Sequence, residues 1–184
     1  MMTLVFLTSI LIGSFVLLTL ADRIIPGVYV AARTRARVGL TALLLVTSSA
    51  HFMRAESMAE MLPAWVPLRV TLVHATGVLE VLAAIGIWVP AVSGLVGAGL
   101  VVMLVLFLPA NVYAAFNHVP FGGHGNGPLY LVVRVPFQAL VIGWTWISAG
   151  YGDDRIRIGK GAVQSLLSVR SDHEQRLAGH PSDA

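Results

Sequence analysis

The chain has 184 residues, of which 57% are hydrophobic and 11% are charged, and its mean hydropathy is +0.81. Soluble domains have about 45–50% apolar and about 25% charged residues, so this composition predicts an integral membrane protein forming one compact bundle. The formal net charge of +3 is small and does not indicate nucleic-acid binding. The absence of cysteine excludes a thiolate nucleophile, a disulfide relay and Cys-ligated metal or iron–sulfur sites within this chain.

Apolar segments of about 20 residues predict five membrane-spanning helices in an all-α, polytopic membrane helix bundle. The spans are expected at residues 1–20, 38–53, 70–89, 92–116 and 129–149 of a bundle that covers residues 1–149. The first segment lacks a basic n-region, so it is interpreted as a retained span. Pro63, Trp65 and Pro67 are expected to interrupt helix in the loop after the second span. Residues 150–184 are expected to form a largely disordered tail with a short surface helix at 163–169.

The distribution of basic residues predicts the orientation of the bundle. Arginines are concentrated between the first two spans, and basic residues again follow the fifth span. Under the positive-inside rule both regions are cytoplasmic, so the amino terminus is expected outside and the tail inside the cell. The loop over residues 54–69 is neutral, which suits the outer side.

Polar residues within the spans are expected to meet in the outer half of the membrane. With a rise of about 1.5 Å per residue, four of them lie near the outer ends of different spans and two lie deeper. This predicted polar cluster contains His51, His74, Asn111, Arg134, Gln138 and Glu80. Four helices supply its members, so the convergence favours a common site.

Glu80 is the most demanding member because it lies near the middle of its span. A charged side chain at the bilayer centre costs about 2.5–3.5 kcal/mol on insertion scales, so it requires a partner or a proton. We predict that Glu80 faces the interior within reach of a polar group from span two, four or five. Candidate partners are Arg134, His51 and His74.

Structural explanations compete with a functional one for several of these residues. Arg134 can extend to the outer interface, and His51 can end its helix at the surface. Asn111 can repair the hydrogen bond that Pro109 removes. His118 and His124 lie in a glycine-rich outer loop and are interpreted as loop residues and a weak metal signal.

Five short motifs occur in a characteristic order between residues 38 and 146. They are His51-Phe52, Pro63-Ala64-Trp65-Val66-Pro67, Gly77-Val78-Leu79-Glu80, Pro109-Ala110-Asn111 and Arg134-Val135-Pro136-Phe137-Gln138. The succession resembles the DoxX-like family of small bacterial membrane proteins. The resemblance implies a four-helix core, to which the first span is an additional helix, and a bacterial plasma membrane location. It also implies an association with thiosulfate:quinone oxidoreductase subunits and membrane redox complexes, without assigning catalytic residues.

These observations leave three functions open. The first is a redox-associated subunit that binds a quinone-like or other amphipathic small molecule at the polar cluster, next to a membrane or redox protein partner. The second is a scaffold or assembly factor in which the cluster only holds the helices together. The third is a metal site made by His51, His74 and Glu80, which ranks last because their spacing does not require it. Enzymatic activity, homo-oligomers and transport of a small solute also stay open.

Overall fold

The computed structural model describes residues 2–25, 28–150 and 156–158, which form six α-helices and one short pair of strands. The helices are α1 (Met2–Ile24), α2 (Ala32–Met53), α3 (Ala55–Ala59), α4 (Arg69–Gly86), α5 (Ser93–Phe116) and α6 (Leu131–Ala149). The strands are β1 (Val28–Val30) and β2 (Ile156–Ile158), which pair antiparallel. Five helices, all except α3, are long and apolar enough to cross a membrane, which fits an integral membrane protein. The predicted helical bundle is therefore confirmed at this level.

Neighbouring long helices run antiparallel around α2, which contacts α1, α4 and α6. The Ser48 hydroxyl donates to the Gly77 carbonyl at 2.9 Å, and nearer the other end the Trp88 indole donates to the Thr41 hydroxyl at 2.9 Å. These two bonds fix the relative direction of α2 and α4. In α5 and α6, Gly97 near the start of one lies against Ala149 at the end of the other.

This arrangement gives the bundle two ends. One end carries the α5–α6 connection, residues 117–130, and is called the loop end. The opposite end carries Arg33, Arg35 and Arg37 and is called the basic end. Helix α2 ends and helices α4 and α6 begin at the loop end, so any group can be placed relative to it from its position in the chain.

The core is divided into two main clusters of apolar side chains. One joins α2, α4, α5 and α6, and the second joins α1, α2 and α6. The first contains Leu40, Leu44, Ala83, Ala84, Ile87, Leu100 and Ala149, and the second contains Leu7, Leu11, Leu43 and Val141. Many other large apolar side chains are exposed on the outside of the bundle, as expected where the surrounding medium is hydrocarbon rather than water.

The predicted start of the second span is wrong, because α2 begins at Ala32 rather than at residue 38. The arginine-rich residues before residue 38 were expected to connect the first two spans on the cytoplasmic side. Instead, Arg35 forms an ion pair with Asp22, and the Arg37 side chain is buried and donates to the Ser148 carbonyl at 3.0 Å. These partners allow the helix to continue through the basic segment.

The segments outside the long helices also differ from expectation in part. The predicted loop over residues 54–69 contains α3, whereas Pro63, Trp65 and Pro67 lie in non-helical structure as expected. Residues 156–158 of the predicted disordered tail form β2. The rest of the tail beyond residue 150, including the surface helix expected at 163–169, lies outside the described residues.

Candidate functional site

At the loop end, Asn111 of α5 holds together groups from α6 and from the α5–α6 connection. Its amide nitrogen donates to the Phe107 carbonyl at 2.7 Å, which directs its Oδ1 toward the neighbouring elements. Arg134 Nε donates to this oxygen at 3.0 Å, and His124 Nε2 lies 3.0 Å from it. Asn111 and His124 are each only 2% exposed, so this polar contact is shielded from solvent. We call Asn111, His124 and Arg134 the loop-end triad.

His124 is held between two oxygen atoms. Its Nδ1 lies 2.8 Å from the Phe121 carbonyl oxygen, and its Nε2 faces Asn111 Oδ1. A neutral imidazole carries one N–H and donates to only one of these acceptors. Burial lowers the pKa of His124, the hydrogen bond to Phe121 opposes this shift, and the positive charge of Arg134 lowers the pKa further. The neutral ring is therefore favoured.

The glycine-rich connection brings His124 into this position. Gly123 has a φ of +107°, and a Cβ atom there would lie 2.6 Å from the Tyr130 ring, so both conformation and space require glycine. The Tyr130 hydroxyl donates to the Gly122 carbonyl at 2.6 Å, and its ring meets the His124 ring edge-on with centroids 4.9 Å apart. The loop is thereby packed against the start of α6.

Gln138 lies one turn after Arg134 along α6. Its side-chain nitrogen donates to the Leu104 carbonyl of α5, and the residue is buried. Gln138 therefore joins α5 to α6 below the loop-end triad. One hydrogen of its side-chain amide is therefore used by a backbone carbonyl.

A second polar contact joins α2 and α4. Side chains on a helix tilt toward its N-terminus, so His51 near the end of α2 points into the bundle, while Glu80 of the antiparallel α4 points toward the loop end. The His51 Nδ1 and Glu80 Oε2 atoms lie 3.5 Å apart, and their side chains are 8% and 6% exposed. The Thr47 side chain lies next to the Glu80 carboxyl group. Glu80 Oε2 is fully buried and has no hydrogen-bond partner in the described part of the chain.

An open apolar groove runs between the N-terminal halves of α1 and α6, with a volume of about 690 Å³. The hydroxyls of Thr8 and Ser9 donate to carbonyls of their own helix at 2.8 Å, which leaves the walls almost wholly apolar. Phe137 connects this groove to the loop-end triad, because the Arg134 guanidinium lies 5.7 Å from the centre of its ring. The groove is lined by Leu4, Val5, Thr8, Ser9, Ile12, Gly13, Val133, Pro136, Phe137 and Leu140.

Comparison with known protein families gives one match. Residues 40–149, from the middle of α2 to the end of α6, match the family model described as a domain of unknown function, DUF8561. The chain belongs to the DUF8561 family. No curated protein and no solved structure matches the chain. The description of DUF8561 names no activity, and the match leaves α1 outside the family region.

In this DUF8561 protein, the six residues of the predicted cluster separate into different environments. Asn111 and Arg134 meet directly, and His51 meets Glu80, which confirms the prediction that Glu80 faces the interior beside a polar group of span two. His74 does not join either contact. It is exposed and stacks against Phe52 with ring centroids 5.9 Å apart, because its position on α4 turns it away from Glu80.

The separation of His74 also removes the basis for the metal hypothesis, which ranked last of the three. That hypothesis required His51, His74 and Glu80 to approach one ion. Across residues 2–25 and 28–150, no group of three His, Cys, Asp or Glu side chains is close enough to hold a metal. Asn111 also differs from its expected role, since it bonds to the Phe107 carbonyl rather than to Val105, the residue four before Pro109.

His124 was interpreted as a loop residue and Tyr130 was not predicted to belong to the site, although both are buried at the loop end. Their burial depends on how residues 117–130 fold back over α5. Closely spaced glycines around one histidine were the available signal, because such a segment can adopt the positive φ values seen at Gly122, Gly123 and Gly127.

Proposed function

We propose that this DUF8561 protein is a redox-associated membrane subunit that binds a quinone-like or other amphipathic small molecule. The observation that carries the proposal is the contact of the Arg134 guanidinium with Phe137, whose ring lines the apolar groove between α1 and α6. The apolar part of the ligand would lie in this groove. Its polar part would accept hydrogen bonds from Arg134.

The size and composition of the groove support an apolar occupant. A volume of about 690 Å³ lies within the usual range of small-molecule sites, about 300–1,000 Å³. Its walls come from aliphatic side chains and Phe137, and its hydroxyls are engaged in α1. An isoprenoid or acyl chain meets these requirements because it needs contact area and no hydrogen bonds.

Arg134 supports a ligand with an oxygen acceptor. Its Nε is used by Asn111, and within the described ranges no carboxylate forms an ion pair with it. Its two terminal amino groups make no hydrogen bond to another described residue. The guanidinium carbon lies 5.7 Å from the centre of the Phe137 ring, which places these donors next to a wall of the groove. A quinone carbonyl would accept from these groups without having to displace the Asn111 bond.

The redox association rests on the resemblance of the five motifs to the DoxX-like family. We propose that DUF8561 and DoxX-like proteins are related and that a membrane or redox protein partner supplies or receives the electrons. This chain would contribute binding and orientation. When bound, a quinone would supply the electron-carrying chemistry.

The proposed orientation follows from charge. Arg33, Arg35 and Arg37 lie at the basic end, which we assign to the cytoplasm, and the loop end is assigned to the outside of a bacterial plasma membrane. In this orientation the groove opens into the outer leaflet. A lipid-soluble ligand would enter laterally from the bilayer.

The test fills the groove at Gly13. A Cβ atom at Gly13 meets nothing within 4 Å, so Gly13→Leu starts its side chain in open space at the groove. Gly143→Leu is the matched control, because Gly143 also has open space and does not line the groove. Lipophilic molecules that co-purify from native membrane are measured by mass spectrometry. We expect a quinone-like species with wild type and Gly143→Leu, and at least about a tenfold loss with Gly13→Leu, equal to about 1.4 kcal/mol.

A second candidate function, a membrane scaffold, is favoured by the pairing of the loop-end triad. Arg134 of α6 bonds to Asn111 of α5, and below the triad Gln138 of α6 bonds to the Leu104 carbonyl of α5, so these side chains join the two helices. If wild type carries no lipophilic molecule, and Gly13→Leu instead disrupts a co-purifying membrane protein complex, the ligand proposal is wrong and the scaffold is supported.

A further inference from the structure

We infer that His51 and Glu80 form a proton-binding pair, in which the imidazole ring passes protons between the loop end of the bundle and the buried carboxyl group. The inference concerns α2 and α4, and it does not depend on a ligand in the groove between α1 and α6. The pair binds a proton, which it exchanges with water at the loop end.

The geometry aligns one ring nitrogen with the carboxyl group. His51 Nδ1 lies 2.9 Å from the Thr47 carbonyl, which accepts only, so this nitrogen carries a hydrogen. The same nitrogen lies 3.5 Å from Glu80 Oε2. The Nδ1 hydrogen therefore has two neighbouring oxygens, the Thr47 carbonyl and the carboxyl of Glu80. Transfer requires the hydrogen to turn from the Thr47 carbonyl to the carboxyl oxygen.

Glu80 is poised to receive that hydrogen. Its Oε2 atom is buried and lacks a hydrogen-bond partner among the described residues, which is costly for an acceptor removed from solvent. Nearby groups are otherwise engaged: the Ser48 hydroxyl donates to the Gly77 carbonyl at 2.9 Å. Of the described residues, the nearest ionisable group to the unsatisfied oxygen is the His51 ring, whose Nδ1 lies 3.5 Å away.

No other titratable group in the described chain competes for this position. Helix α5 contributes the Phe107 ring, whose centroid lies 6.3 Å from that of His51. Arg134 of α6 and His124 of the connection bond to Asn111 instead. The charge state of the pair is therefore set by His51 and Glu80 with the Thr47 side chain beside them.

The other ring nitrogen provides the route to the outside. His51 Nε2 makes no hydrogen bond to a described residue, and the side chain keeps 8% exposure. His51 is located near the end of α2, close to the loop end. Water at that end can deliver a proton to Nε2, whereas Glu80 is reached through the ring.

The transfer step balances without an electron acceptor or a metal. Hydronium gives a proton to Nε2 of the neutral ring and becomes water. The imidazolium then breaks its Nδ1–H bond and gives that proton to Glu80 Oε2, so that an ion pair becomes a neutral imidazole and a neutral carboxylic acid. The reverse sequence releases the proton.

Infrared spectroscopy of the purified full-length protein tests this inference. The carbonyl stretch of a protonated carboxyl group is recorded in H2O and during exchange into D2O between about pH 4 and pH 10. We expect a band that disappears in Glu80→Gln, persists in Glu60→Gln and exchanges in D2O. Glu60 is a suitable control because it is an exposed carboxylate outside the pair.

Variants of His51 test the route. In His51→Phe the Glu80 band is expected to persist, with exchange slowed by about tenfold or more because the relay atom is gone. His51→Gln keeps a polar side chain but cannot relay a proton, and it decides the question if His51→Phe does not fold. Absence of any Glu80-dependent band across the pH range overturns proton binding at Glu80. Exchange at the wild-type rate in the folded His51 variant overturns the relay.

Discussion

Asn111 determines which hydrogen-bond donors of Arg134 can bind another acceptor. The bond from the Asn111 amide nitrogen to the Phe107 carbonyl fixes which way its Oδ1 points, and that oxygen takes the Nε hydrogen of Arg134. One buried amide thus orients the guanidinium while leaving its two terminal amino groups for another acceptor. A lysine at position 134 would lack this division of donors.

His124 gives the loop end a pH dependence whose sign follows from its burial. Because the pKa of His124 is lowered in the folded protein, the unfolded chain takes up a proton first as the pH falls through the ordinary value of 6.5. The stability that His124 contributes is therefore full above pH 6.5 and is lost as the pH falls from there toward the folded pKa. We expect the difference in free energy of unfolding between wild type and His124→Gln to shrink over this interval.

Thermal unfolding in detergent at a series of pH values measures this difference. Asn126→Ala is the control, because Asn126 is exposed in the same connection and does not titrate. A wild-type advantage over His124→Gln that stays constant from pH 8 to pH 5 would contradict the assigned burial effect.

At the residue scale, the sequence could predict that Glu80 and Arg134 each need a polar contact. It could not predict that the two residues have separate partners. The cost of a charge within an apolar span indicates that each needs a polar contact. The partner of each residue depends on how its helix is rotated and on how its side chain is tilted. In the structure Glu80 lies beside His51, and Arg134 bonds to Asn111. His124 could not be predicted as buried, since its position depends on the backbone of a loop with several positive φ angles.

Helices α5 and α6 approach closely where Gly97 meets Ala149. A Cβ atom at Gly97 would overlap the Ala149 methyl group, and the Thr145 carbonyl is also near. The contact lies at the basic end of the pair, while the loop-end triad joins the same helices at the other end. Close packing at one end and polar bonds at the other hold α6 in register with α5.

Substituting Gly97 should loosen this pair. Gly97→Val forces the two backbones apart, and we expect a loss of about 1–3 kcal/mol in the free energy of unfolding, as for other overpacked sites. Gly99→Val is the matched control on the same helix, because its Cβ meets nothing within 4 Å. Unfolding in mixed detergents compares the variants, and equal stability of both would show that the helices separate without cost.

At the scale of elements, hydrophobicity was sufficient to predict five long helices but not the start of α2. The start of α2 was displaced because Arg35 and Arg37 find partners in α1 and α6, and no sequence pattern shows such partners. Trp144 of α6 provides another such partner, because its indole donates to the Ala36 carbonyl in the first part of α2 at 2.9 Å. Apolar segments indicate the spans, whereas the start of α2 depends on contacts between helices.

For the whole molecule, the absence of cysteine makes the proposed orientation directly testable. Single Trp65→Cys and Arg23→Cys variants are labelled in intact cells with a thiol reagent that does not cross membranes. Both positions are exposed, and they lie on opposite sides of the proposed bilayer. We expect labelling of position 65 only, with position 23 labelled after the cells are opened. Labelling of position 23 alone in intact cells would reverse the assigned topology.

The family match begins at residue 40, within α2, so α1 stands apart from the region that defines DUF8561. Helix α1 supplies one wall of the groove, while His51, Glu80 and the loop-end triad lie wholly within the matched region. Lipid-soluble ligand binding and proton exchange would thus be separable traits within one family. A relative without a counterpart of α1 would retain the second trait and lack the groove needed for the first, so the inheritance of this single helix would divide the family by function.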